Sequence, residues 1–164
     1  MESLGKNIMI GIIIFLIIFL VIAIIFSVLE IIGKWKLYKK AGKNGWEAII
    51  PYYNNWVLVE ISGCKWWFFL IIIFSSLISL NISFDINETS QLNFNYLELV
   101  GSIINFLALY CVNYNICKKC NKSTGYAVGL TILPFIFYPI LGFGSSKYDN
   151  NVKVSPYGVF KEGE

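Results

Sequence analysis

The sequence predicts an all-α fold: an integral membrane helical bundle of three to four transmembrane helices plus an interfacial or re-entrant broken helix. Three observations carry this. Residues 7–29 contain no charge, 57% of the 164 residues are hydrophobic against 14% charged, and the lysines gather beside the ends of apolar runs.

The first run, at helical rise, covers about 34 Å, enough for a hydrocarbon core of about 30 Å. It is too long for a cleaved signal peptide and is followed by Glu30 and lysines, so it reads as a retained anchor. Spans are predicted at about 7–32, 66–84, 97–117 and 124–144, within a single membrane domain over 1–148 that is followed by a polar tail over 149–164. A segment at about 44–63 is too short and too polar to cross, because Glu60 is costly near a bilayer centre.

Lysines set the orientation. Lys34, Lys36, Lys39, Lys40, Lys43 and Lys65 lie between the first two runs, and Lys118, Lys119 and Lys122 follow the third, whereas residues 85–98 hold none. The basic loops are expected in the cytoplasm and the N-terminus outside. A fourth crossing puts the tail outside; a re-entrant last run puts it in the cytoplasm. Lysine without arginine, together with fourteen asparagines, fits an AT-rich bacterial genome and hence a bacterial inner membrane. In so asparagine-rich a chain, the glycosylation patterns at Asn81, Asn87 and Asn121 read as chance matches.

Around residue 44 the apolar pattern is interrupted. Asn44-Gly45 favours a turn, and Pro51 removes a donor and disfavours helix before it. Trp46, Tyr52, Tyr53 and Trp56 suit headgroup depth, as do Trp66 and Trp67 further on. Lys39, Lys40 and Lys43 would face anionic lipid while Ile49 and Ile50 dip deeper. The sharper alternative is a broken helix lining a cavity, where Asn54, Asn55 and Glu60 meet a ligand. A second stretch echoes the first. Lys40-Ala-Gly-Lys43, Gly45-Trp46 and Ile50-Pro51 parallel Lys119-Cys-Asn-Lys122, Gly125-Tyr126 and Leu133-Pro134, consistent with a degenerate parallel repeat.

In the last run Pro134 and Pro139 deprive the carbonyls of Leu130 and Phe135 of helical partners, which Thr131 or water would supply. Gly125 and Gly129 form a small-xxx-small pair for close helix contact. Asn105, Tyr110, Asn113, Tyr114 and Asn115 on the third span are expected to hold the bundle together, with Ser75, Ser76 and Ser79 on the second as partners.

Catalysis finds little support. Without histidine the usual general base is missing, as are Ser-His-Asp and Cys-His pairs and most zinc sites. No catalytic residue, cofactor or metal site is expected, and the small positive excess does not indicate nucleic acid. The one reactive constellation is Cys117-Lys-Lys-Cys120, whose lysines would favour thiolates, although it falls on the reducing side. The leading expectation is a non-catalytic membrane module whose partners are the lipid bilayer, anionic headgroups and another membrane protein. The alternatives are a small transporter or channel using the Pro-broken segments, and a membrane thiol oxidoreductase at the Cys-x-x-Cys.

Two blocks resemble a family of small bacterial multi-pass membrane proteins of unknown function. KAGKNGWEAIIPYYNNWVLVEISGCKWW follows its KAGxxGWxxxIPxYN pattern, and KCNKSTGYAVGLTILPFIFYPILGFGSSKY resembles its GxSTGxxxGLxxLPxIFYPILGFG block. The polar DINETSQLNFNYLE replaces the short turn usual in that family, and Cys120 stands where its members tend to carry another residue. Some members bear a signal peptidase label, but this chain lacks the serine with methionine-proline context and the placed lysine of such enzymes. The resemblance implies a fold and a membrane address, and no activity.

Overall fold

The computed structural model describes residues 2–79 and 91–158, and over these the chain is all helical, with six α-helices and no strand. Asn81, Asn87, Ser83, Ser90 and residues 85–90 of the lysine-free loop lie outside the described residues.

Helix α1 (Glu2–Lys40) is an unbroken run of 39 residues with no proline, about 58 Å at helical rise. Every side chain from residue 7 to residue 29 is exposed. An apolar surface that continuous is stable only when something other than water surrounds it. Helix α2 (Tyr53–Ser62) is short, α3 (Trp67–Ser79) leads away from the lysine-rich end, and α4 (Gln91–Lys119) returns to it. Among the described helices, α1 and α4 are long and apolar enough to cross a membrane. Between α3 and α4, Asn105 Nδ2 donates to Ser75 Oγ and Ser76 Oγ, each at 2.9 Å, and to the Ile72 carbonyl at 3.1 Å. The expected serine–asparagine contact is therefore made, on the second and third apolar runs.

The two basic turns are copies of one another in backbone detail. After α1, Gly42 takes φ +79° and the Lys43 amide donates to the Tyr38 carbonyl at 2.8 Å; after α4, Asn121 takes φ +53° and the Lys122 amide donates to the Cys117 carbonyl at 2.8 Å. Each is a left-handed C-terminal cap closing a Schellman motif, the conformation that glycine and asparagine tolerate best. The lysine two residues before each capping residue then reaches into the other half. Lys40 Nζ donates to the carbonyls of Leu141 (2.8 Å) and Gly144 (2.6 Å), and Lys119 Nζ donates to the Ile61 carbonyl at 2.8 Å.

The last apolar run does not form one helix. It divides at Leu133 into α5 (Thr124–Ile132) and α6 (Pro134–Phe143), about 13 to 15 Å each and so half of a membrane crossing. Pro134 opens α6 at its first turn, where a missing amide costs nothing. Helix α5 runs back along α4, joined by Asn113 Nδ2 to Thr131 Oγ1 at 3.1 Å. Helix α6 then descends parallel to α1: Phe135 stacks on Phe26 at 4.3 Å, Tyr138 and Pro139 lie against Gly33, and the far end meets Lys40. The pair is an out-and-back hairpin that returns the chain to the lysine-rich end. Thr131 bonds the Ala127 carbonyl rather than that of Leu130, which corrects the expected role of its hydroxyl.

Helix packing also departs from expectation at the glycines. Gly125 is exposed, and a Cβ there would meet only its neighbour Ser123, whereas Gly129 lies under the Phe137 ring of its own hairpin, 2.5 Å from where a Cβ would stand. The close helix contact is between Gly33 of α1 and Gly142 of α6, where a Cβ on Gly142 would stand 2.6 Å from the Gly33 carbonyl oxygen. The core sits at this end too, built from Leu37, Tyr38, Val57, Leu58, Ile116 and Leu141. A Cβ at Gly33 would overlap the Tyr138–Pro139 backbone, which cannot yield as a side chain can. Gly33→Ala is expected to cost about 1–3 kcal/mol in a thermal or denaturant unfolding assay in detergent. Gly11→Ala, in open space, should leave stability unchanged or slightly raised.

Candidate functional site

The interruption after α1 begins with a 3-10 turn, Gly45–Ala48, held close under Trp35: a Cβ on Gly45 would enter the indole. Trp46 is exposed and stacks on Tyr53 at 6.5 Å, with Ile49, Ile50 and Tyr52 exposed beside them. Tyr52 adopts φ +64°, and the Tyr53 amide donates to the Pro51 carbonyl at 2.7 Å, a γ-turn conformation that is strained for any residue but glycine. This turn lets the chain leave Pro51 and enter α2. One face of α2, with Val57, Leu58 and Ile61, is buried; the other presents Trp56 and Glu60. The segment 44–63 is thus half core and half surface.

Two expected ligand groups are already occupied. The Tyr38 hydroxyl engages Asn54 through both its side-chain and backbone oxygens, the latter at 2.9 Å. Lys43 Nζ pairs with Glu60 Oε1, and that hydrogen bond is the chief reason the lysine is held above its ordinary value. Glu47 is buried. Its Oε1 accepts from Asn44 Nδ2 at 3.3 Å, while Oε2 has no hydrogen-bond partner among the described residues.

Cations stack on rings throughout this end. Among the described residues seven lysines stand over aromatic rings: Lys34 over Tyr138, Lys36 over Phe143, Lys39 over Trp35, Lys65 over Tyr157, Lys118 over Tyr114, Lys119 over Tyr148 and Lys122 over Tyr126, at 4.1 to 5.7 Å. Residues 30–65 and 118–153 together hold eleven lysines against the carboxylates of Glu30, Glu47, Glu60 and Asp149. Trp66 is exposed and Trp67 half-buried, stacked on Phe68 at 4.7 Å. The expected interface residues Lys39, Lys40, Lys43, Trp46, Pro51, Tyr53, Trp56, Glu60, Trp66 and Trp67 therefore share one end of the molecule. Of the expected packing positions, Pro134 and Pro139 both lie in the returning hairpin and Pro139 meets α1.

Sequence reasoning missed several residues here. Lys119 is 7% exposed and seats on the end of α2, where Tyr148 also donates to Ile61. Lys34, equally buried, pairs with Glu30 at 2.7 Å, an i, i+4 spacing visible in the sequence. The polar tail packs back as far as residue 158. The Lys65 amide donates to the Pro156 carbonyl at 3.1 Å, Asn115 Nδ2 to the Ser155 carbonyl at 2.8 Å, and Gly158 sits against Cys111.

The four cysteines are free thiols, of which Cys64 is partly exposed and Cys111, Cys117 and Cys120 are buried. Burial pushes the Cys120 thiol up to about 11, against the pull of Lys40, Lys122 and Lys119. This reverses the expectation that the flanking lysines produce a thiolate: losing water outweighs nearby charge. Below that value the thiol is neutral, so at pH 8 Cys120 should alkylate about a hundredfold more slowly than an unfolded-chain thiol, each unit being a factor of ten. Peptide mapping after maleimide treatment, with and without denaturing detergent, measures it. Among the described residues no group of three or more cysteines and acids could hold a metal ion.

No curated protein and no solved structure matches the chain. Residues 46–151, from the first 3-10 turn through α2, α3, α4 and the hairpin into the tail, match the family of unknown function DUF5684. That stretch covers more than half of the 164 residues, and the chain belongs to this family.

Proposed function

We propose that the protein is a non-catalytic, multi-pass module of a bacterial cell membrane that binds anionic lipid headgroups with its lysine-rich end on the cytoplasmic face. The observation that carries this reading is the gathering of lysines over aromatic rings at one end, beside an exposed band of Trp46, Tyr52, Tyr53, Trp56 and Trp66. Aromatic rings at headgroup depth and ammonium groups facing phosphate are the two devices by which a membrane surface holds a protein. The exposed apolar length of α1 supports placement in a bilayer, and the hairpin brings the tail to the same side as the basic turns.

Two other readings fit less well. A transport path needs a cavity reaching Glu60 or Asn54, yet Asn54 is bound by Tyr38 and the cleft at Glu60 holds only about 100 Å³, well below an ordinary ligand pocket. A thiol enzyme needs an accessible thiolate, and Cys117 and Cys120 are buried.

Quenching of tryptophan fluorescence by brominated phosphatidylglycerol in mixed vesicles tests the reading. Replacing the exposed Lys36, Lys39 and Lys118 together by glutamine should lower the preference for the anionic lipid roughly a hundredfold at low ionic strength. High salt should erase most of the wild-type preference. Equal quenching by zwitterionic and anionic lipid in the wild type would contradict it.

A further inference from the structure

Beside the lysines lies a site of opposite character. Trp56, Val59 and Glu60 on α2 and Cys64 and Trp66 in the turn before α3 enclose an open cleft of about 100 Å³. Its lining is chiefly apolar, with Glu60 at its border. Trp56 is fixed edge-on against Phe69 at 5.3 Å, whereas Trp66 is exposed. Two indoles and a carboxylate bordering one small space are side chains that favour an organic cation over an anion, since aromatic rings and a carboxylate both attract positive charge.

The carboxylate already takes an ammonium here: Glu60 Oε1 holds Lys43, and 47% of the Glu60 side chain stays exposed. Lys43 has a second carboxylate to serve, because Glu47 is buried with Oε2 unpartnered among the described residues, and Glu47 acts on Lys43 electrostatically alongside Glu60.

We infer that the cleft between Trp56 and Trp66 seats the ammonium group of a zwitterionic phospholipid headgroup, with Glu60 as its counter-charge and Lys43 shifting toward Glu47 when it binds. The lipid is the source rather than a free amine because the cleft opens within the exposed aromatic band. The inference rests on the membrane-facing reading of this end, yet it makes the opposite demand on Lys43.

Cys64 lines the cleft and is partly exposed, so its alkylation reports occupancy. The protein in maltoside detergent is treated with N-ethylmaleimide, with Cys64 read by peptide mass, under increasing dihexanoyl-phosphatidylethanolamine. The lipid should slow Cys64 several-fold and saturably, and Trp66→Ala should raise the half-saturating concentration about tenfold with an unchanged melting temperature. Lys43→Gln should lower it, because it frees Glu60. Loss of one positive charge would instead weaken phosphatidylglycerol, so anionic binding can fail while this site stands, or the reverse. Absence of protection would overturn the inference. So would protection equal to that by dihexanoyl-phosphatidylglycerol, protection insensitive to Trp66→Ala, or protection by free ethanolamine at the same concentration.

Discussion

Two lysine ammonium groups, Lys40 and Lys119, each cross from the end of a long helix to the terminal carbonyls of a short helix in the other half of the chain. Helix C-termini leave carbonyls without intrahelical partners, and burying them unsatisfied is costly. Leu141 and Gly144 at the end of α6, and Ile61 at the end of α2, are satisfied in this way by charged donors, the stronger kind of hydrogen bond. The lysines can make the crossing because each long helix stops in the same Schellman turn, which presents residues 40 and 119 at equivalent positions. Remove the left-handed residue at 42 or 121 and that presentation is lost. Helix α1 meets the rest chiefly through α6 and the 3-10 turn, and Lys40 closes its contact with α6 at the lysine-rich end.

The hairpin follows from it. Helices α5 and α6 are each too short to cross, and a return at Leu133 exposes backbone at a bend unless protein covers it. Tyr138 donates to Asn113 Oδ1 at 2.8 Å, Asn113 donates to Thr131, and Tyr126 donates to the Phe137 carbonyl at 3.0 Å, so polar groups of the half-helices pair with one another and with α4. Glycine contact at Gly33 and Gly142 lets α6 lie flat on α1, and Lys40 closes the far end. The tail then arrives beside Lys119 and Lys65, where Asp149, Ser155 and Pro156 find backbone and side-chain partners. One end of the molecule thus carries the core, the lysines and the aromatic band together, and that coincidence makes it the candidate site.

Much of this was legible in the sequence because the signals are local. The charge-free run at 7–29, the Asn-Gly turn, Pro51 and the recurrence of the basic turn are properties of neighbouring residues, and the Asn105 contact followed from placing polar groups on facing apolar helices. The residues read wrongly or missed depend on which elements meet. Gly125 and Gly129 have the spacing of a packing pair, but spacing does not say which face a partner covers, and here Gly33 and Gly142 are the covered ones. Lysines beside Cys120 suggested a thiolate, yet burial outweighs their field, and burial is a tertiary property. A lysine that caps a distant helix looks in sequence like any other loop lysine, so the parallel between Lys40 and Lys119 did not reveal which carbonyls they reach.

The last apolar run goes out and back as α5 and α6, which leaves the tail at the same end as both basic turns. Single cysteines placed at Asn44 and Asn150, both exposed, read this directly with a membrane-impermeant maleimide applied to intact and to permeabilised cells. With the hairpin in place and the basic turns inside, both positions should label only after permeabilisation. Labelling of position 150 in intact cells, with position 44 still protected, would mean that the run crosses once and would contradict the hairpin.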